Sequence, residues 1–196
     1  MLKKIITLLA FFLATTPLTA DTIRLGNPGY GGTGCPGGSA SVTLSPDQKS
    51  LSILFDQYLA QAGLNGSMDR KNCNIAIPVH VPNGYSISIF RIDYRGFVAL
   101  PQNSMARFNV EYFFAGQRGP RYAKTWRGPA TEDYLLRNKL NGRSMIWSAC
   151  GADVNLRINS AMFVSSRNGE EALATVDSAD VKSGLIYHFQ FRRCRS

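Results

Sequence analysis

A period-two alternation of apolar and other residues is the feature that most constrains the fold of this chain. The clearest run has an apolar side chain at every second position: Phe108, Val110, Tyr112 and Phe114. Successive side chains of a β-strand point to opposite faces, so this pattern predicts a strand with one buried face. Comparable runs occupy residues 42–44, 51–55, 73–81, 85–94, 134–140, 144–147, 155–164, 172–177 and 185–193.

The segments between these runs carry residues typical of tight turns. Pro46 and Asp47 separate two short runs and predict a hairpin, Pro78 predicts an edge strand or a bulge, and the phase shift at Phe90 predicts a bulge. Four Asn-Gly dipeptides supply the positive φ angles of hairpin turns: Asn65-Gly66, Asn83-Gly84, Asn141-Gly142 and Asn168-Gly169. After residue 20 no segment keeps a helical period over three turns, and the nearest, 57–62, is short. The sequence therefore predicts an all-β fold, an antiparallel β-sandwich that is jelly-roll-like, with roughly nine to eleven strands.

The first twenty residues have the three regions of a secretory signal peptide. Two lysines precede an apolar run at residues 5–14, and the segment closes on small residues at Ala20. We therefore predict a signal peptide at 1–20 and a single secreted β-sandwich domain at 21–196. No later apolar segment is long enough to span a bilayer, so we expect a soluble mature chain that is secreted or periplasmic.

Four cysteines in an exported chain predict two disulfides: Cys35, Cys73, Cys150 and Cys194. Four cysteines allow three pairings. We favour Cys35 with Cys73 and Cys150 with Cys194, because each pair flanks a block that reads as a compact set of strands. The cysteines lack C-x-x-C spacing and the two histidines are far apart in the sequence, so neither a metal site nor a cofactor is expected.

Glycines cluster around the first cysteine, in the segment 31–39. Glycine adopts positive φ at low cost, so we expect this segment to supply turns where a disulfide attaches the N-terminal arm to the body. The alternative is a nest that cradles an anion across residues 26–38. That segment lacks the Lys-Ser/Thr of a phosphate loop and precedes a strand instead of a helix, which disfavours the alternative.

The chain is basic, with a formal net charge of +9, or +7 once the two leader lysines are removed. Such a surplus favours anionic partners, although it also serves solubility. The densest cationic segment, 117–128, interleaves aromatic residues with cations, and six of its residues form the candidate ligand site: Arg118, Arg121, Tyr122, Lys124, Trp126 and Arg127. The alternative is a solvated loop whose Trp126 packs into the core.

Catalytic constellations are weak in this sequence. No G-x-S-x-G motif accompanies His80 or His188, so serine-histidine catalysis is not expected. A polysaccharide hydrolase needs two carboxylates on one face. Glu111 shares the outward face of its strand with Arg107 and Asn109, which is a sugar-contacting surface, but the sequence assigns no second acid.

Seven short motifs are spread over the mature chain: Gly-Thr-Gly-Cys-Pro-Gly-Gly-Ser (32–39), Leu-Ser-Pro-Asp (44–47), Arg-Lys-Asn-Cys (70–73), Val-Pro-Asn-Gly-Tyr (81–85), Ile-Asp-Tyr-Arg-Gly-Phe (92–97), Trp-Ser-Ala-Cys-Gly (147–151) and Tyr-His-Phe-Gln-Phe-Arg-Arg-Cys (187–194). Together they resemble a family of small secreted proteins of fungi and bacteria that is catalogued as a domain of unknown function. The resemblance implies export, four cysteines and an all-β fold. It implies no particular activity and no catalytic residues.

These observations predict a secreted, non-catalytic binding protein that recognises a glycan or another anionic surface polymer through the six residues of the cationic segment. Nucleic acid is not an expected partner. One alternative is a polysaccharide-acting hydrolase with Glu111 as one acid, and another is an inhibitor or interaction partner of a second secreted protein. A binder should lose affinity with salt and on Trp126→Ala, whereas a hydrolase should release reducing ends and stop on Glu111→Gln.

Overall fold

The computed structural model of the chain describes residues 23–47, 50–140, 145–176 and 185–194. The predicted signal peptide at 1–20 and the Asn141-Gly142 turn lie outside these residues. Within the described part of the chain no helix has the length and apolarity needed to cross a bilayer. The described residues form these strands: β1 (Arg24–Leu25), β2 (Gly29–Gly31), β3 (Ala40–Leu44), β4 (Ser50–Phe55), β5 (Leu59–Ala62), β6 (Met68–His80), β7 (Tyr85–Leu100), β8 (Ser104–Phe114), β9 (Arg121–Arg127), β10 (Ala130–Lys139), β11 (Val154–Ser166), β12 (Ala172–Thr175) and β13 (Leu185–Arg193).

The strands form two antiparallel sheets. Sheet A has the order β1-β6-β11-β8-β9, with β2 also paired to β6. Sheet B has the order β3-β4-β13-β7-β12-β5, with β10 also paired to β7. The chain crosses repeatedly between the sheets after β6, as in a jelly roll, so most neighbours within a sheet come from distant parts of the sequence. This arrangement confirms the predicted antiparallel β-sandwich.

The core lies between the two sheets, because each central strand buries one of its faces. Aromatic contacts join the layers. Tyr94 of β7 has its ring centroid 5.4 Å from that of Phe108 in β8, and it stacks on Tyr122 of β9 at 5.2 Å. The ring centroids of Trp126 in β9 and Tyr134 in β10 are 4.6 Å apart. These contacts between strands of different sheets give the sandwich one continuous core.

One local irregularity appears where the sequence predicts it, at Phe90, whereas β6 is neither an edge strand nor bulged at Pro78, because it pairs with β11 in unbroken register and with β1 and β2 on its other side. The register of β7 against β13 shifts between His188 and Phe189, which places the bulge at Phe90. Pro78 lies in β6 at the gap between the short strands β1 and β2, which pair with residues 79–80 and 74–76. The carbonyl of Pro78 accepts a hydrogen bond from the N–H of Gly26, so it points away from β11. The N–H and the carbonyl of one residue in an antiparallel strand point to the same side. The N–H that proline lacks would therefore also point away from β11, and no hydrogen bond to β11 is lost.

The other predictions of local structure have mixed outcomes. β3 and β4, on either side of Pro46, pair as the predicted hairpin. In contrast, a strand is predicted over 144–147, but residues 145–146 belong to no strand and Trp147 forms an isolated bridge to Ser88; residue 144 lies outside the described residues. The cationic segment contains β9 and is not a solvated loop, because residues 121–127 pair with β8 along their whole length.

Both disulfides have the favoured pairing. Cys35 bonds Cys73 with 5.4 Å between Cα atoms, and Cys150 bonds Cys194 with 6.0 Å. The first attaches the N-terminal arm to β6 of sheet A. The second fastens the segment before β11 to the end of β13 in sheet B. The two bridges therefore constrain opposite layers of the sandwich.

Candidate functional site

A groove of about 480 Å³ crosses the outer face of sheet A, on the side away from the core. Its lining comes from four adjacent strands, β6, β11, β8 and β9. Alternate residues of these strands, such as Cys73 and Val110, are buried in the core, so the residues between them point outward. These outward residues are Arg70, Asn72, Asn74, Arg107, Asn109, Glu111, Arg121, Ala123, Asn159 and Ala161.

The strand register sets the outward side chains in rows across the sheet. Three neighbouring rows cover the groove: Asn74, Asn159, Glu111 and Arg121 in the first; Asn72, Ala161, Asn109 and Ala123 in the second; Arg70, Phe163, Arg107 and Thr125 in the third. Adjacent strands are about 4.8 Å apart, so each row is roughly 14 Å long. The first two rows therefore carry the four asparagines, with the Glu111–Arg121 ion pair at the β8–β9 end of the first, and the third row carries Arg70 and Arg107.

Cations predominate on this face. The outward positions of the four strands carry five arginines and one carboxylate: Arg70, Arg107, Arg121, Arg127, Arg157 and Glu111. Arg121 pairs with Glu111 at an N···O distance of 3.3 Å, and Nε of Arg107 donates to Oδ1 of Asn109 at 3.2 Å. Among the described residues, no carboxylate pairs with Arg70 or Arg107. Their charge is therefore available to a ligand.

The glycine-rich segment holds one side of the groove in place. The N–H of Gly34 donates to the carbonyl of Asn72 at 2.8 Å. The hydroxyl of Thr33 donates to Oδ1 of Asn72 at 2.9 Å and accepts from the N–H of the same residue at 3.1 Å. Cys73, the next residue of β6, is bonded to Cys35. The segment therefore fixes both the backbone and the amide orientation of Asn72.

Two kinds of constraint explain these glycines. Gly32 and Gly38 have φ angles of 149° and 84°, which confirms the expected positive φ. Gly34 is required for a different reason, since a Cβ atom at this position would lie 2.5 Å from the ring of buried Tyr58. The cluster thus combines backbone freedom with close approach.

The aromatic residues of the predicted ligand site point into the sandwich. The ring of Tyr122 stacks on Tyr94 below the groove, and burial raises the pKa of its phenol. Trp126 is only 5% exposed and packs on Tyr134. The pairing with β8 faces both rings toward the core, so Trp126 is not a stacking platform on the surface and instead packs in the core, as the alternative interpretation of this segment expected.

The predicted cations are divided among several places. Arg121 lines the groove. Arg127 points outward near the other end of β9, and Arg118 is exposed in the turn between β8 and β9. Lys124 lies on the inward side of its strand, with Nζ 5.9 Å from the centroid of the Trp126 ring. Of the six predicted residues, the structure therefore brings Arg121 and Tyr122 to the groove and leaves the other four outside its lining.

Four outward polar residues of the groove belong to neither surface that the sequence predicts: Arg70, Asn72, Asn74 and Asn159. A signal for the asparagines of β6 exists in the sequence, because both flank Cys73 in the outward phase of the strand. The surface predicted around Arg107, Asn109 and Glu111 does lie in the groove. The sequence does not reveal that β6, β11 and β8 are neighbours.

Comparison with known proteins supports the family resemblance. The family model described as "Domain of unknown function (DUF4360)" matches residues 21–194. An uncharacterized secreted protein of Arthroderma benhamiae is 36% identical over 178 residues, which cover 89% of this chain and 73% of that protein. This secreted relative and the two disulfides support the predicted location outside the cytoplasm.

A solved structure of TmCBM61 in complex with beta-1,4-galactotriose aligns with 85% of this chain and 88% of that chain. The sequence identity is 12% and the TM-score is 0.30. A TM-score this low supports no conclusion about the ligand of this chain.

Proposed function

Because the chain belongs to the DUF4360 family, whose description assigns no activity, we propose a function from the groove itself: the protein is a secreted, non-catalytic binder of a glycan on the outer face of sheet A. One observation carries the proposal. Four asparagine side chains occupy two adjacent rows of the groove: Asn72, Asn74, Asn109 and Asn159. A side-chain amide both donates and accepts hydrogen bonds, as sugar hydroxyl groups do. A set of amides on a rigid sheet therefore suits a ligand rich in hydroxyl groups.

The charged groups of the groove favour binding over hydrolysis. Glycoside hydrolysis generally uses two carboxyl groups on either side of the bond that breaks. Among the lining residues that the structure describes, Glu111 is the one carboxylate, and it is paired with Arg121. An ion-paired carboxylate with no second acid beside it suits a structural role, in which Glu111 orients Arg121.

A glycan array, read at low and at moderate salt, tests the proposal and supplies a ligand for titration. We then expect Asn159→Ala to weaken the best array ligand by roughly three- to tenfold, the equivalent of one lost hydrogen bond. Asn155→Ala is the matched control, because Asn155 points outward on the same strand but lies outside the groove lining. Titration calorimetry measures both affinities.

Three results would contradict this function. The first is an array that shows no glycan binding, and the second is equal glycan affinity of Asn159→Ala and Asn155→Ala. Release of reducing ends from a bound polysaccharide, abolished by Glu111→Gln, would instead support the hydrolase alternative.

A further inference from the structure

The arginines of the groove differ in how far the protein already neutralises them. Arg121 is held by Glu111 at 3.3 Å. Arg70 and Arg107 are exposed, and among the described residues neither has a carboxylate partner. Arg107 uses Nε to bond Asn109, which leaves its two terminal nitrogen atoms for a ligand. The uncompensated charge of the groove therefore lies in its third row.

The register places Arg70 and Arg107 on either side of one residue. Both are directly opposite Phe163, Arg70 in β6 and Arg107 in β8. Two strand spacings separate their Cα atoms by about 10 Å, a gap that two long side chains can close around one small anion. Phe163 has no hydrogen-bond acceptor in its side chain, so the residue directly between the two arginines forms no hydrogen bond with their guanidinium groups.

We propose that Arg70 and Arg107 together bind one acidic group of the ligand, a carboxylate or a sulfate ester, while the amide rows beside them bind neutral sugar hydroxyls. The inference rests on the proposed function and narrows its ligand to an acidic glycan. Guanidinium groups bind either anion through paired, charge-assisted hydrogen bonds. Only the third row combines two uncompensated cations, so the ligand places its charge at that end of the groove.

Nucleic acid shares the negative charge but fits the groove less well. Proteins that bind single strands usually stack the bases on exposed aromatic rings. Tyr122 and Trp126 turn their rings toward the core, and half-buried Phe163 is the one aromatic residue in the three rows that the structure describes. One ring offers no series of stacking platforms for successive bases, whereas the two amide rows suit hydroxyl groups.

Paired polymers that differ only in their acidic groups test the inference. One pair is polygalacturonate and its carboxyl-reduced form, and the other is dextran sulfate and dextran. We expect the wild-type protein to bind at least one acidic polymer about tenfold or more tightly than its neutral counterpart. The pair with the larger difference identifies the acid as carboxylate or sulfate.

Single substitutions test which arginines bind the acidic group. Arg70→Gln and Arg107→Gln should each weaken binding of the acidic polymer about tenfold or more, with little change for a neutral glycan that the array identifies. Arg127→Gln is the matched control, since Arg127 is an outward, exposed arginine outside this groove lining. Arg107→Lys should give a smaller loss, because lysine keeps the charge without the two-pronged donor. Thermal unfolding midpoints establish that each variant is folded.

The outcomes separate this inference from the proposed function. Equal binding of acidic and neutral forms, with both glutamine variants like wild type, overturns the anion site and leaves the glycan groove standing. Single-stranded DNA bound as tightly as the acidic polymer, and lost in the same variants, overturns the glycan class. Absence of binding to all four polymers and to the array overturns both proposals.

Discussion

Two buried tyrosines give the protein a predictable weakness at alkaline pH. Burial raises the pKa of Tyr58 and Tyr112 above the ordinary value near 10, and for Tyr58 the hydrogen bond to Ser160 opposes the rise in part. The folded state then keeps a proton that the unfolded state loses. The stability due to these groups is fully present below about pH 10 and declines as the pH rises above it.

We therefore expect the free energy of unfolding to fall by about 1.4 kcal/mol per pH unit for each of these tyrosines above pH 10. Urea unfolding between pH 9 and 11 measures the slope. Tyr112→Phe keeps the ring in its packing site and should have a shallower slope than wild type. Identical slopes would show that the Tyr112 phenol ionises freely in the folded protein.

At the scale of single residues, the sequence shows which side chains are cationic but does not predict which way each side chain points. Tyr122 and Trp126 belong to a segment rich in basic residues, which favours a position on the protein surface. Their orientation depends on the partner strand: they lie opposite Val110 and Ala106, both of which are buried. A single sequence does not contain that pairing, so it cannot distinguish a stacking platform from a core ring.

The glycine-rich segment before β3 is an element whose packing supports the groove. Gly34 touches the ring of Tyr58, so Gly34→Ala must displace a buried side chain or the segment itself, and we expect a cost of about 1–3 kcal/mol. Gly37→Ala is the matched control, because its Cβ atom would meet nothing within 4 Å. Urea unfolding of the two variants gives the difference in free energy.

The same pair of variants tests the link between the segment and β6. Displacement of Gly34 also moves the N–H that bonds the carbonyl of Asn72. Glycan affinity should therefore fall in Gly34→Ala and stay unchanged in Gly37→Ala. Equal stability of the two variants would show that the segment yields freely and does not brace the groove.

At the scale of elements, alternation predicts most strands well, and the position of the cysteines around two blocks of strands predicts the disulfide pairing. The groove is harder to predict than the strands or the disulfides, because its residues come from strands that are distant in sequence. Asn74 and Glu111 lie on either side of Asn159 only because β11 pairs with both β6 and β8. Loops, not local patterns, decide this order, and the sequence gives no pairing rule for strands separated by several sheet crossings.

Across the whole molecule, the two disulfides have similar loop sizes but different relations to the groove. Their sequence separations are 38 and 44 residues, so the chain-entropy model assigns each a stabilisation of about 4 kcal/mol. Cys73 lies in β6 between Asn72 and Asn74, directly beneath the groove. Cys194 lies at the end of β13, in the opposite sheet.

Removal of each bridge should therefore separate stability from binding. We expect Cys35→Ala/Cys73→Ala and Cys150→Ala/Cys194→Ala to lose comparable free energies of unfolding, on the order of 2–5 kcal/mol, in urea titrations. At a low temperature where both variants are folded, only the first should bind the array ligand more weakly, since β6 and its two amides lose their covalent anchor. Equal affinities in calorimetry would mean that pairing with β11 alone holds the groove in shape, and that the first bridge serves stability only.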